Sequence, residues 1–193
     1  GVILIYTDTA LYQMQFIGPP FTFGFRQLGT NCGAVGINAA VDVNGIAYWM
    51  GNDSFFLFDG AVKKIPCSVQ DYVFDDINNN ALGDVFCAVN SDFNEVIWFY
   101  PSKNSTQIDR NVTYNYAEKI WYIGTLSRSS WADRGVYSNP YAAEFDSSDT
   151  TATISTINGV KEGRTFVYLH EEGVNDDGAA MNCHIESGDI DVG

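Results

Sequence analysis

Short apolar or alternating runs recur along the chain, and residues that favour turns separate them. Residues 39–66 hold the clearest set, in which four such runs lie at 40–43, 46–50, 54–58 and 62–65. Asn44-Gly45 and Asp59-Gly60 lie between runs, and such dipeptides favour the tight turns of antiparallel hairpins. The segment therefore predicts four short antiparallel strands, a pattern typical of one β-propeller blade.

The same pattern recurs in residues 85–124. Four further runs lie there, at 86–90, 95–100, 111–116 and 120–123, with a polar insertion at 102–109 between the second and the third. Trp98 follows Trp49 by 49 residues and occupies the matching place in the second run. A period of about 45 to 50 residues is typical of repeated four-stranded units.

Two partial units flank the two whole ones, so the units cover approximately residues 1–17, 39–66, 85–124 and 141–193. In the first unit, residues 3–6 and 11–14 match the second and third strands of the repeat. The last unit predicts first, second and third strands at 141–145, 164–170 and 180–186, with a Ser/Thr/Asp-rich insertion at 146–163.

These repeats predict an all-β fold, a single β-propeller-like region made of four-stranded antiparallel blades. Because a propeller closes with about four to eight blades, we expect this partial propeller to be a fragment of a longer chain. A β-sandwich of successive hairpins is the structural alternative, since short strands also suit that fold.

A long connection, residues 18–34, separates the first unit from the second. Phe21, Phe23 and Phe25 alternate with other residues there, directly after Pro19-Pro20. We interpret the connection as a crossover whose phenylalanines are buried between units. The alternative is an exposed apolar loop that docks on a partner protein.

The chain carries 24 acidic and 10 basic residues, a formal charge of −14. A protein that binds nucleic acid by neutralising phosphates needs a basic surface, so we expect no tight nucleic-acid binding. Solubility explains the charge in general terms, and an acidic surface that repels a passing polyanion is the functional alternative. The apolar run at residues 1–5 is too short to span a membrane, and we expect no membrane association.

Few residues suggest chemistry, and we predict no catalytic, cofactor-binding or metal-binding residues. The four cysteines are widely spaced and are expected to be unpaired core residues. His170 and His184 lie in predicted strands and are expected to be structural, although Glu171-Glu172 beside His170 could form half of a metal site. Calcium is an alternative at the acidic segments 75–80 and 175–178, where ordinary polar turns are favoured.

A glycoside-cleaving site is a further alternative, because acids and aromatics are the materials of a sugar-binding cleft. Such a site needs two carboxylates that face each other across the scissile bond. The available candidates are Glu95, Glu118, Glu144 and Glu186. The pattern of the chain does not show which of them converge.

Several segments resemble known virion proteins, namely residues 6–12, 47–50, 89–96, 131–137 and 170–178. Over most of its length the chain is similar to the packaged-DNA stabilisation, or tail-nozzle, proteins of short-tailed bacteriophages. We expect the chain to lack both ends of these proteins, and the insertion at 146–163 is a further difference from them.

This resemblance implies a structural, non-enzymatic β-propeller subunit of the virion tail, assembled in the host cytoplasm into a ring-shaped homo-oligomer. Other tail proteins would be its partners, and DNA would pass nearby through an acidic channel, retained before ejection and free to slide during it. The alternative function is a carbohydrate-binding or glycoside-cleaving β-propeller.

Overall fold

The computed structural model describes residues 2–146, 164–173, 175–176 and 179–180. These residues form an all-β protein with four antiparallel sheets of three or four strands, none of them closed. A two-stranded ladder, one short α-helix and one 3₁₀ turn complete it. None of the helical segments in these ranges is long and apolar enough to cross a membrane.

Each sheet is a meander in which consecutive strands pair. The first sheet contains β1 (Ile3–Tyr6), β2 (Ala10–Phe16) and β3 (Phe23–Thr30). The second contains β4 (Ala40–Val43), β5 (Ile46–Met50), β6 (Phe55–Phe58) and β7 (Val62–Ile65). Helix α1 (Gln70–Asp76) and the 3₁₀ turn Leu82–Asp84 follow it.

The remaining sheets repeat this plan. The third contains β8 (Phe86–Asn90), β9 (Glu95–Tyr100), β10 (Arg110–Asn115) and β11 (Ile120–Gly124). The fourth contains β12 (Ser130–Ala132), β13 (Tyr141–Asp146) and β14 (Arg164–Leu169). The ladder pairs β15 (Asn175–Asp176) with β16 (Ala179–Ala180).

The strands predicted for the second and third sheets are confirmed, and so is the turn that joins β4 to β5. Val43 pairs with Ile46 across Asn44-Gly45. Asn44 and Gly45 have φ angles of 53° and 83°. Positive φ at both central residues is the requirement of a type I′ turn, whose twist matches that of the strands it joins. The Asn-Gly pair therefore fixes the register of this hairpin.

The interpretation of residues 18–34 as a buried crossover is wrong. Residues 23–30 form β3, which pairs with β2 as the third strand of the first sheet. Phe21, Phe23 and Phe25 are 72%, 49% and 66% exposed. The alternation that suggested buried phenylalanines is therefore that of an edge strand. The exposure of these side chains favours the docking alternative.

The strand order predicted for the last unit is also wrong. Residues 141–146 pair with the earlier strand β12, so β13 is the second strand and β14 the third. Ser130-Trp131-Ala132 is too short a run to show periodicity, which is why the sequence pattern missed it. The strand predicted at 180–186 falls almost entirely outside the described residues.

Three apolar layers lie between successive sheets. Leu11, Cys32, Trp49 and Phe56 form the core of the first layer. The second and largest layer joins β4–β7 to β8–β11 and α1, and its buried members are Ala39, Val43, Tyr48, Met50, Phe55, Ile65, Val73, Ile77, Val85, Val96, Trp98, Tyr100, Val112 and Tyr114. The third joins the β8–β11 sheet to Trp131, around Ala88, Ile97 and Phe99. The second and third sheets are therefore covered on both faces.

Cysteines contribute to these layers as apolar residues. Cys32, Cys67 and Cys87 are unpaired, as expected, and Cys32 is buried. Burial raises the pKa of the Cys32 thiol, which keeps it protonated and inert. Cys183 lies outside the described residues.

Tryptophan side chains tie each layer to the preceding sheet. The indole N–H of Trp49 donates to the carbonyl of Cys32 at 2.8 Å, and that of Trp98 donates to Ala39 at 3.1 Å. Both side chains are fully buried. A buried indole that lost its acceptor would leave a polar group without water or partner, so each bond restricts where the neighbouring sheet can lie.

We predict that Trp98→Phe lowers the free energy of unfolding by about 2–4 kcal/mol. The substitution removes apolar volume and the indole donor, so that the Ala39 carbonyl keeps only the Met50 amide as its donor. Urea unfolding followed by circular dichroism measures the loss. Trp121→Phe is the matched control, because the bond from its indole to the Pro66 carbonyl lies at the surface and should contribute less. Equal losses in the two variants would contradict the role assigned to the buried bond.

Candidate functional site

A cavity of about 340 Å³ lies where the third and fourth sheets meet. Its wall is built by residues that precede or begin strands, together with Glu144 and Phe145 near the end of β13. The lining residues that carry charge or aromatic rings are Asp84, Phe86, Arg128, Glu144 and Phe145. Amide and hydroxyl side chains, among them Asn38, Gln107 and Ser129, complete it.

Arg128 is the buried charge of this wall, with only 6% of its side chain exposed. Its Nη1 donates to Glu144 Oε2 at 3.0 Å and its Nε donates to His170 Nε2 at 3.0 Å. Its guanidinium carbon lies 4.0 Å from the centre of the Tyr168 ring. A cation removed from water is tolerated only with such compensation, so the cluster holds Arg128 in one position.

His170 directly follows β14 and helps to hold Arg128 in place. Its Nε2 accepts the N–H of Arg128 Nε at 3.0 Å. The ring also packs against Trp131, with centres 4.6 Å apart. The carbonyls of His170 and Glu171 accept from the Asn139 amide at 3.2 and 3.1 Å. His170 is outside the set of lining residues and affects the cavity through its hydrogen bond with Arg128.

A second polar cluster joins the same two sheets away from the cavity lining. Asn90 Nδ2 donates to Glu95 Oε2 at 3.5 Å and to Glu171 Oε1 at 3.1 Å. The Tyr122 hydroxyl donates to Glu95 Oε1. Asn90 is 2% exposed, so its amide is committed to holding the two carboxylates near each other.

The proximity of these carboxylates changes the protonation of Glu95. Burial, and then the negative charge of Glu171, raise the pKa of Glu95 to about 7, while the Asn90 hydrogen bond acts in the opposite direction. A carboxyl with a pKa near neutrality can hold a proton that ordinary surface acids release. The cluster can thus store one proton at the boundary between the sheets.

The structure separates the acids that the sequence offered for glycoside cleavage. Glu144 lines the cavity and Glu95 belongs to the second cluster. Glu118 is exposed in the turn between β10 and β11, and Glu172 is also exposed. Glu186 and His184 lie outside the described residues. Glu144 is instead in an ion pair with Arg128, and Glu95 is linked to Glu171 through the Asn90 amide. Both arrangements join residues that are not neighbours in sequence.

The segments considered for calcium do not form a cluster in the described part of the chain. Asp75 and Asp76 end helix α1, and Asp76 Oδ2 lies 3.6 Å from Arg110 Nε. Across the described ranges, no three His, Cys, Asp or Glu side chains converge in a way that could hold a metal ion. The segment at 175–178 lies partly outside those ranges.

Sequence reasoning missed Asp84, Asn90 and Arg128, because no local motif marks these residues and the contacts of Asn90 and Arg128 form only in the folded chain. No protein-family model matches the chain, and the search of curated proteins also found no match.

We predict that the unfolding free energy falls as pH rises from about 4.5 to about 7. Over this interval the folded protein retains the Glu95 proton that the unfolded chain has released, so each added pH unit disfavours the folded state. Allowing for the partial solvent exposure of Glu95, the decline should be about 1 kcal/mol. Urea unfolding at a series of pH values measures it.

Glu95→Gln should remove this part of the decline, because an amide does not titrate. Glu118→Gln, at an exposed turn, is the matched control and should leave the pH dependence unchanged. If the pH dependence of Glu95→Gln equalled that of the unmodified protein, the raised pKa would be excluded as its cause.

Proposed function

We propose that this chain is a structural, non-enzymatic part of the tail of a short-tailed phage, in which its sheets are consecutive blades of a β-propeller. The observation that carries the proposal is the stacking of successive meander sheets along the chain. The resemblance of several segments to tail-nozzle proteins supplies the biological setting.

The position of the first strands supports the propeller arrangement. Strand β8 contacts both β4 and β12. Asn38 and Phe86 form a parallel bridge, and the Cys87 amide donates to the Asn38 carbonyl at 2.8 Å. The first strands of three successive sheets thus lie side by side, as the innermost strands of blades do around an axis. A two-layer sandwich would leave one face of each sheet to solvent.

The distribution of charge supports a surface that does not hold DNA. Among the residues that the structure describes, four basic side chains are in ion pairs with nearby carboxylates, namely Lys63, Arg110, Arg128 and Arg134. Their charge is therefore compensated locally, and in the whole sequence 24 acids outnumber 10 bases. Such a surface repels phosphates, which would let a duplex slide past without sticking.

The β2–β3 hairpin supports assembly with other proteins. Phe16, Ile17, Phe21, Phe23 and Phe25 are all exposed along it. Residues 10–41 contain no acid and a single base, Arg26. An apolar, nearly uncharged surface on a strongly acidic protein is where a neighbouring tail subunit would dock with least repulsion.

Localisation in virus particles tests this proposal. Antibodies raised against the purified chain should label the tail vertex of particles of the encoding virus, seen by immunogold electron microscopy. Antibodies against the capsid protein are the control and should label the faces instead. Intact tailed particles that lack the chain, or that carry it only on the capsid, would contradict the proposal.

A DNA-binding measurement tests the charge argument separately. The fluorescence anisotropy of a labelled DNA duplex should stay unchanged when the protein is added at low salt, where electrostatic binding is strongest. Binding that weakened steeply with added salt would exclude an acidic, non-adhesive surface.

A further inference from the structure

We propose that the cavity between the third and fourth sheets binds a neutral saccharide, with a single pyranose ring seated against Arg128 and Glu144. This inference does not depend on the proposed tail function. It goes beyond that function because the tail proposal assigns no ligand to this cavity.

The charges of the cavity select against ionic ligands. Asp84 and Glu144 line it with one carboxylate each, and Arg128 supplies one guanidinium. The guanidinium is already neutralised by Glu144 at 3.0 Å and rests on the Tyr168 ring. A phosphate or carboxylate ligand would therefore meet a net negative wall on a protein of charge −14. An uncharged ligand meets no such barrier.

The polar groups of the lining match a ligand made of hydroxyls. A sugar hydroxyl both donates and accepts, so it needs carboxylate acceptors together with amide and hydroxyl partners. Asp84 and Glu144 provide the acceptors, and Asn38, Gln107 and Ser129 provide groups that can donate as well as accept. This mixture suits a polyol better than a purely apolar ligand.

Aromatic rings give the cavity an apolar surface on which a sugar ring can pack. Phe86 and Phe145 line the same cavity. Phe86 also stacks on Phe99, with ring centres 4.8 Å apart, which holds its ring in place. The carbon–hydrogen face of a pyranose can pack on such rings while its hydroxyls reach the polar wall. A few oriented polar groups beside aromatic surface are the usual composition of a small-ligand site.

The volume of the cavity limits the size of the ligand, and its fixed wall lowers the entropic cost of binding. Its volume of about 340 Å³ lies at the lower end of the range for ligand sites, which suits a small sugar. Arg128 is held by Glu144 and His170 at 3.0 Å each. The wall is therefore formed before the ligand arrives, so little conformational freedom is lost on binding.

Saturation-transfer NMR with the purified chain tests the proposal. The probes are the methyl glycosides of glucose, galactose, mannose and N-acetylglucosamine, compared with glucuronate and glucose 6-phosphate. We expect at least one neutral glycoside to bind with a Kd of about 1 mM, as for small ligands with few contacts. Both anionic probes should bind at least about tenfold more weakly, since a like charge disfavours them.

Steric blocking locates the site. A side-chain atom added at Gly83, which lines the cavity, meets nothing within 4 Å. Gly83→Phe should therefore add a large ring at the cavity wall without straining the fold, and we expect it to abolish glycoside binding. Gly135→Phe is the matched control, because Gly135 has equally open surroundings away from the cavity, and should bind like the unmodified chain.

A second pair of variants tests the polar wall. Asp84→Asn should weaken binding about tenfold by replacing a carboxylate acceptor, whereas Asp53→Asn makes the same chemical change at an exposed turn and should have no effect. The proposal would be overturned if none of the glycosides bound, if the anionic probes bound as tightly as the neutral ones, or if Gly83→Phe retained binding. Each of these results is independent of whether the chain is found in virus tails.

Discussion

The second, third and fourth sheets of this protein are each joined to the sheet before them by at least one tryptophan whose indole N–H donates to a backbone carbonyl. The bonds run from Trp49 to Cys32, from Trp98 to Ala39, from Trp121 to Pro66 and from Trp131 to Val89, at 2.8 to 3.1 Å. A tryptophan buries a large apolar surface but requires an acceptor at one point of its ring. These side chains therefore set both the separation of the sheets and their relative position.

The polar features follow from this stacking. Trp131 packs on Phe99 and brings the face of β12–β14 against β8–β11. At this boundary Arg128 is buried with Glu144 and His170, and Asn90 holds Glu95 near Glu171. The Asn90 cluster takes its members from both sheets, whereas Glu144, Tyr168 and His170, which surround Arg128, belong to the fourth sheet or directly follow it. The cavity and the proton-holding cluster are thus products of the same interface.

The sequence pattern predicted those elements that are determined by residues close together in the sequence, such as turn dipeptides and alternating apolar runs. The strands of the second and third sheets were predicted because Asn44-Gly45 fixes a turn and because Trp49 and Trp98 recur at one position. The matching places of these tryptophans are explained by their equivalent bonds to the preceding sheet. Local chemistry also accounts for the unpaired cysteines, which are spaced too widely to suggest a framework.

Elements defined by contacts across the fold could not be predicted in the same way. Strand β12 is three residues long and exists through its pairing with β13. The alternating phenylalanines of β3 fit a buried crossover and an exposed edge equally well until the partner strand is known. Nothing local distinguishes Arg128 from a surface arginine, because its burial depends on residues up to 42 positions away.

Stacked sheets tied by buried indoles should protect particular protons from exchange with solvent. The most direct measurement is hydrogen exchange of the tryptophan indole N–H groups, followed by NMR in D₂O. The indole protons of Trp49 and Trp98 should exchange only through global unfolding, whereas that of Trp121, whose bond lies at the surface, should exchange much faster. If all of these protons exchanged at similar, rapid rates, the sheets would not be joined in this way.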